Sequence, residues 1–183
     1  IAEEALDAGA KIINDVSGFT ADEKMVYIAG KYACPVILMA SDNIPGDPVG
    51  MDAIIESLGR IIKGAENSGI SPDSIIIDPA IGKWTPEKLP VYDFETIDNI
   101  ERLRIFNKPI LVAISRKSFV GDTLNKPASE RLYGSLAATA IAVRNGAHII
   151  RTHDVASTVD AVRVAEASRA RIPAVRSGTV EAE

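Results

Sequence analysis

The run Pro109-Ile110-Leu111-Val112-Ala113-Ile114 passes directly into Ser115-Arg116-Lys117-Ser118-Phe119-Val120-Gly121. An apolar stretch this short, with branched side chains, fits a strand buried on both faces of a parallel sheet. It ends in a hydroxyl, a guanidinium, an ammonium and a second hydroxyl. A strand leaving a packed core has no stability reason to carry two cations at its mouth, so an acidic or electron-rich group is expected there.

The same arrangement recurs along the chain. Lys11-Ile12-Ile13 ends in Asn14-Asp15, Pro35-Val36-Ile37-Leu38-Met39 reaches Ser41, Ser74-Ile75-Ile76-Ile77 ends in Asp78-Pro79, and Ala147-His148-Ile149-Ile150 ends in Arg151-Thr152-His153-Asp154. Helical patterns separate these runs. Ala2 to Gly9 reads as the last turns of a helix. Thr20-Ala21-Asp22-Glu23 reads as a capping box opening a second, with Met25, Ile28, Ala29 and Tyr32 at helical spacing. Met51, Ile54, Ile55, Leu58, Ile61, Ile62 and Ala65 mark one apolar stripe, closed by Gly69. Further helices are predicted near Phe94–Arg104, Ser129–Asn145 and Ser157–Arg169, with residues 171–183 as a frayed tail. Strand and helix alternate five times, which argues a parallel sheet covered by helices. An open doubly wound sheet fits, and so does part of an eight-fold barrel; both bind ligands at the carboxyl ends of their strands.

Composition narrows the function. The 183 residues suffice for one domain with a core, and 46% apolar with 25% charged residues is ordinary for a globular protein. A net charge of −5 argues against a general nucleic-acid binder, so any anion site must be local. The lone cysteine, Cys34, excludes an internal disulfide, reads as inert packing and fits a reducing, cytoplasmic location. No run reaches membrane-span length. His148 reads as a core residue making one hydrogen bond, and Trp84 as loop packing. The opening on Ile1, inside a helical pattern, leads us to expect that a longer protein precedes it.

Taken together, Ile13-Asn14-Asp15-Val16-Ser17-Gly18, Asp78-Pro79-Ala80-Ile81-Gly82, Ser115-Arg116-Lys117-Ser118-Phe119-Val120-Gly121 and Arg151-Thr152-His153-Asp154 resemble the dihydropteroate synthase family of pterin-binding barrels. The resemblance reaches to about Arg169. It implies an α/β fold, a (β/α)8 TIM barrel of which this chain supplies strands four to eight, as a single pterin-binding domain. It departs from the family's pattern in several places. The Asn of the family's first strand, the Asp of its third and two mobile loops are not in this chain. Ala80 stands where the family usually has Gly, and Lys83 where an aromatic residue is common, so that Trp84 is an alternative stacking surface. The histidine many bacterial members carry after Met39 is lacking. The loop Lys83–Tyr92 looks more like the archaeal branch, whose acceptor need not be plain p-aminobenzoate.

The activity implied is condensation of a hydroxymethyl-dihydropterin diphosphate with p-aminobenzoate or a related aryl amine, releasing diphosphate, in folate or methanopterin biosynthesis. The pterin presents two N–H donors side by side, which a carboxylate such as Asp78 accepts as a fork. Asn14 offers donor and acceptor to the ring heteroatoms, Met39 lines the pterin, and Lys117 donates to its carbonyl or nitrogen. Arg151 and His153, two apart on an extended segment, face one way and suit the departing diphosphate. Ser115, Arg116 and Ser118 line the aryl amine. By resemblance Lys117, Arg151 and His153 are the catalytic set, with magnesium as cofactor, no metal ligand in this chain, a homodimer as assembly, and neither nucleic acid nor membrane as partner. The second reading is a pterin-binding methyltransferase-type domain without diphosphate chemistry, which would not need Arg151 and His153. Singly, each residue has an ordinary explanation: Asp78 a turn, Asn14 a loop cap, Arg116 and Lys117 a solvated strand end, Arg151 and His153 partners of Asp154.

Overall fold

The computed structural model describes residues 1–170; the tail expected at 171–183 lies outside the described residues. Five strands occur in the described chain: β1 (Ile13–Asp15), β2 (Val36–Met39), β3 (Ile75–Asp78), β4 (Leu111–Val112) and β5 (Ile149–Ile150). All pair in parallel. Ile13, Asn14 and Asp15 sit beside Val36, Ile37 and Leu38. Val36 to Met39 sit beside Ile75 to Asp78. A single parallel bridge, Ile77 to Ile110, carries the order on to β4, and Leu111 and Val112 pair with Ile149 and Ile150. The spatial order is therefore the chain order. A doubly wound sheet reverses its order at a switch point, so this alternative is excluded. Five consecutive strand–helix units without reversal form an arc of a (β/α)8 barrel.

The helices are α1 (Ala2–Asp7), α2 (Glu23–Tyr32), α3 (Met51–Asn67), α4 (Pro90–Asp98), α5 (Ser118–Leu124), α6 (Leu132–Arg144) and α7 (Val155–Ala170). The stripe read on α3 is buried: Met51, Ile54 and Leu58 are fully inside, with Ile61, Ile62 and Ala65 beside them. Each such aliphatic side chain contributes about 1.5–3 kcal/mol by leaving water. They cover Val36, Leu38, Ile75 and Ile77, which are wholly buried on the helix side of the sheet. Ile37 and Ile76, on the other face, are only partly buried, and Asn14 in register with them is exposed.

Several local readings need correction. The cap of α2 is Asp22, whose carboxylate accepts from the Lys24 N–H; Thr20 instead donates to the Ser17 carbonyl. The helix expected at Phe94–Arg104 starts earlier, with Pro90 at its first position, and gives way to a 3-10 segment at Ile100–Phe106. The short α5 went unpredicted, and α6 begins at Leu132 rather than Ser129. His148 is exposed rather than in the core, although it does make the single expected bond, its Nδ1 accepting from the Ile110 N–H at 3.2 Å. No helix among the described residues is long and apolar enough to cross a membrane.

Candidate functional site

Side chains alternate across a strand, so the register fixes which residues share the less buried face. Asn14, Ile37 and Ile76 are in line. Two residues further on, Met39 pairs with Asp78. Because Ile77 meets Ile110, the face of Asp78 continues through Leu111 and Ala113 to Ser115. Because Leu111 meets Ile149, it also continues to Arg151 and His153. Asn14, Met39, Asp78, Ser115, Arg151 and His153 thus lie on one face, toward the carboxyl ends of the strands. A cavity of about 250 Å³ is lined there by Ala113, Ser115, Lys117, Arg151, Thr152 and His153.

The cationic turn is shaped by Arg116, which is held left-handed at φ 61°. This reverses the chain, so that Arg116 and Lys117 part company. Arg116 leaves the cavity and pairs with Asp154, with Nη2 to Oδ1 at 2.9 Å. Asp154 is therefore the partner of Arg116, not of Arg151 or His153. Lys117 returns across Gly82, where a Cβ would come within 2.9 Å of its Cδ, and where φ is 115°. Its ammonium lies 5.0 Å from the centre of the Trp84 ring, a cation–π distance. Ser118 opens α5, half-buried. The Ser115 hydroxyl accepts from the His153 N–H at 3.2 Å and shares a hydrogen bond with its Nδ1 at 3.0 Å.

Electrostatics tie the two halves of the rim together. Burial pushes the Asp78 carboxyl above its ordinary range, while the Ala80 N–H and the charges of Lys117, Arg151 and Lys88 pull it back. Burial pushes the Lys117 ammonium down, and Asp78 opposes that shift. An acid and an ammonium so placed, both kept from bulk water, offer a fork acceptor and a donor to one flat heterocycle.

Sequence reasoning passed over three residues. Lys88 is among the most completely buried side chains, and its ammonium donates to the Ala80 carbonyl. Asp93 is buried and accepts from the Gly82 N–H at 2.6 Å. Arg131 donates to the carbonyls of Arg116, Lys117 and Lys126 at 3.0, 3.3 and 2.9 Å, and so clamps the cationic turn from below. Lys88 and Asp93 sit in or beside a loop that reads as solvated, and buried charge leaves no trace in a periodicity. Trp84 packs into its loop as read, close against Gly46, but its buried Nε1–H has no partner. A larger cavity, about 710 Å³, opens between α2 and α3 beside Phe19, Val26, Arg60 and Ile61; no site residue named above lines it. No group of three or more His, Cys, Asp or Glu side chains among the described residues could hold a metal ion.

Comparison with known proteins places this geometry. A family profile described as pterin binding enzyme matches residues 1–153. Dihydropteroate synthase of Clostridium beijerinckii is 35% identical over 167 residues, covering 91% of this chain and 61% of that protein. A probable bifunctional folylpolyglutamate synthase/dihydropteroate synthase of Halobacterium salinarum is 37% identical over 177 residues, covering 92% of this chain and 21% of that protein. The structure of a Coxiella burnetii dihydropteroate synthase in complex with pteroic acid superposes with a TM-score of 0.82 at 34% identity, over 91% of this chain and 62% of that one. The chain spans about three fifths of the length of the first of these curated relatives.

Proposed function

This chain belongs to the family of pterin-binding enzymes, and from that premise we propose that it is the pterin-, diphosphate- and amine-gripping part of a dihydropteroate synthase-type transferase. One observation carries the reading: the strand register puts Asn14, Met39, Asp78, Ser115, Arg151 and His153 on one face, with Lys117 turned back among them. In this reading Asp78 takes the two N–H donors on the pterin edge, Asn14 and Lys117 meet the remaining ring heteroatoms, and Met39 packs beside them. The amine nitrogen attacks the exocyclic methylene carbon of the pterin. A C–N bond forms as the C–O bond to diphosphate breaks, and the bonding pair leaves with the diphosphate. The amine nitrogen then gives up its extra proton to the departing diphosphate or to water.

Charge develops on the departing oxygens, so Arg151 and His153, the latter fixed beforehand through Ser115, lower the barrier. The aryl amine enters over Ser115 and Ser118. Arg116 is committed to Asp154 in this structure, so we assign it to shaping that entrance through the turn rather than to contact. Magnesium belongs to the proposal as an ion brought with the diphosphate, whose charge it would share. The proposal takes p-aminobenzoate or a related aryl amine as the acceptor. A cytoplasmic location belongs to it too. So does a homodimer through α6 and α7, where Tyr133 is 79% and Val164 70% exposed; Val164→Glu should then halve the mass seen by light scattering.

The methyltransferase-type alternative uses Asp78 and Asn14 but gives Arg151 and His153 nothing to do. The deciding experiment supplies the protein carrying this chain with pterin diphosphate, an aryl amine, or both, and follows diphosphate release. Release that depends on both supports the proposal. Release without amine, or none, overturns it; equal affinity for a reduced pterin with and without its diphosphate would favour the alternative.

A further inference from the structure

The loop from β3 to α4 carries both halves of the pterin grip. Asp78 opens it, and Gly82 is the seat across which Lys117 lies. Between them Ala80 is held at φ 60°, a left-handed conformation that costs a residue with a Cβ but not glycine. Something must hold the loop in that shape. Its N–H donates back to Asp78 at 2.8 Å. Its carbonyl accepts from Lys88, a lysine only 1% exposed. Two residues on, the Gly82 N–H is held by Asp93, also 1% exposed. Burying an ammonium and a carboxylate is expensive, so a loop that does so has its shape fixed at those two points.

Resting on the function proposed above, we propose that Lys88 and Asp93 are positioning residues: they strap the β3–α4 loop by one carbonyl and one amide, and thereby set the spacing between the Asp78 carboxylate and the Lys117 ammonium. Neither touches the ligand. Burial lowers the Lys88 ammonium and raises the Asp93 carboxyl, which fits groups kept from water on the inner side of the loop. The two straps act on opposite ends of the same three residues, so loosening either one lets Asp78 and Lys117 drift apart together.

The chain's one tryptophan, Trp84, lies in this loop and against Lys117, and so reports on the loop's position. The experiment titrates a reduced hydroxymethylpterin into wild type, Lys88→Met, Ala80→Gly and the double variant, reading affinity by calorimetry, Trp84 emission, and fold by circular dichroism. Lys88→Met should bind about tenfold more weakly with a shifted emission. Adding Ala80→Gly should restore most of both, because glycine holds the left-handed turn without the strap; a lysine that only balanced buried charge would not be rescued this way. Unchanged affinity and emission in Lys88→Met, or no rescue by Ala80→Gly, overturns the proposal. If Lys88→Met does not fold, Asp93→Leu, which removes the acceptor of the Gly82 N–H, decides: a folded protein with wild-type affinity overturns it, and a severalfold loss supports it. If wild type binds no pterin yet the emission shift and its rescue occur, the strap stands and the proposed function falls.

Discussion

Asp78 pays for its position with an unfavourable burial, and that leaves a signature in pH. Its carboxyl titrates above the ordinary value in the folded chain. The folded state then holds the proton more tightly than the unfolded one, so this group's contribution to stability falls as pH rises from near 3.8 through the raised folded value. Asp78→Asn should remove that slope, leave stability at neutral pH equal or higher, and weaken pterin binding by about 10- to 100-fold, the equivalent of losing one charged hydrogen-bonded contact of about 1.5–3 kcal/mol. Denaturation midpoints from pH 3.5 to 7 and a binding titration check both halves; a large stability loss at pH 7 would contradict the burial account. Lys117 behaves in the opposite sense. Its folded value is lowered, so its buried charge opposes folding below that value, and stability recovers as pH rises from it to 10.5. Lys117→Met should flatten that alkaline rise.

At the level of single elements, the turn after β1 separates two neighbours that read alike in sequence. Asn14 is exposed on the site face. Asp15 is buried and accepts from the Ser17 N–H, the Ser17 hydroxyl and the Phe19 N–H at 2.9, 2.7 and 2.8 Å. Asp15→Ala should cost about 2–3 kcal/mol in a urea titration, since it strands those donors. Asn14→Ala should leave the urea midpoint within about 0.5 kcal/mol and lower pterin affinity. How legible an element was followed its physics. The α3 stripe was plain because seventeen residues give several turns of one period. The seven-residue α5 is hidden because two turns are too few to display a helical period. Asp22 competed with Thr20 for one cap, and only the carboxylate reached the free N–H. Lys88 and Asp93 were invisible because nothing in a linear string distinguishes a charged loop residue in water from one folded underneath.

Across the molecule, the alternation of short apolar runs with helices is enough to specify a helix-covered parallel sheet, and the polar residues at the run ends fall at the carboxyl ends of its strands. What the string could not decide was strand order, because open and closed sheets share the same local pattern. The observed order leaves β1 and β5 at its two ends among the described residues, with Ile149 at 36% exposure while Val36, Leu38, Ile75 and Ile77 are wholly buried. Hydrogen exchange should follow that gradient, slowest in β2 and β3 and fastest in β5; uniform protection across the five strands would contradict it.

That each strand lies beside the one made just before it has a temporal consequence. As the polypeptide leaves the ribosome, each of β2 to β5 has a finished neighbour to dock on, and within this chain the rim is populated in the order of translation: the amide of Asn14, then the acid of Asp78, then the ammonium of Lys117. The guanidinium and imidazole of Arg151 and His153 arrive last. A nascent chain halted near residue 145 would already own the acid, the amide and the ammonium but not the guanidinium and imidazole, so the two halves of the rim come together only once β5 has docked beside β4.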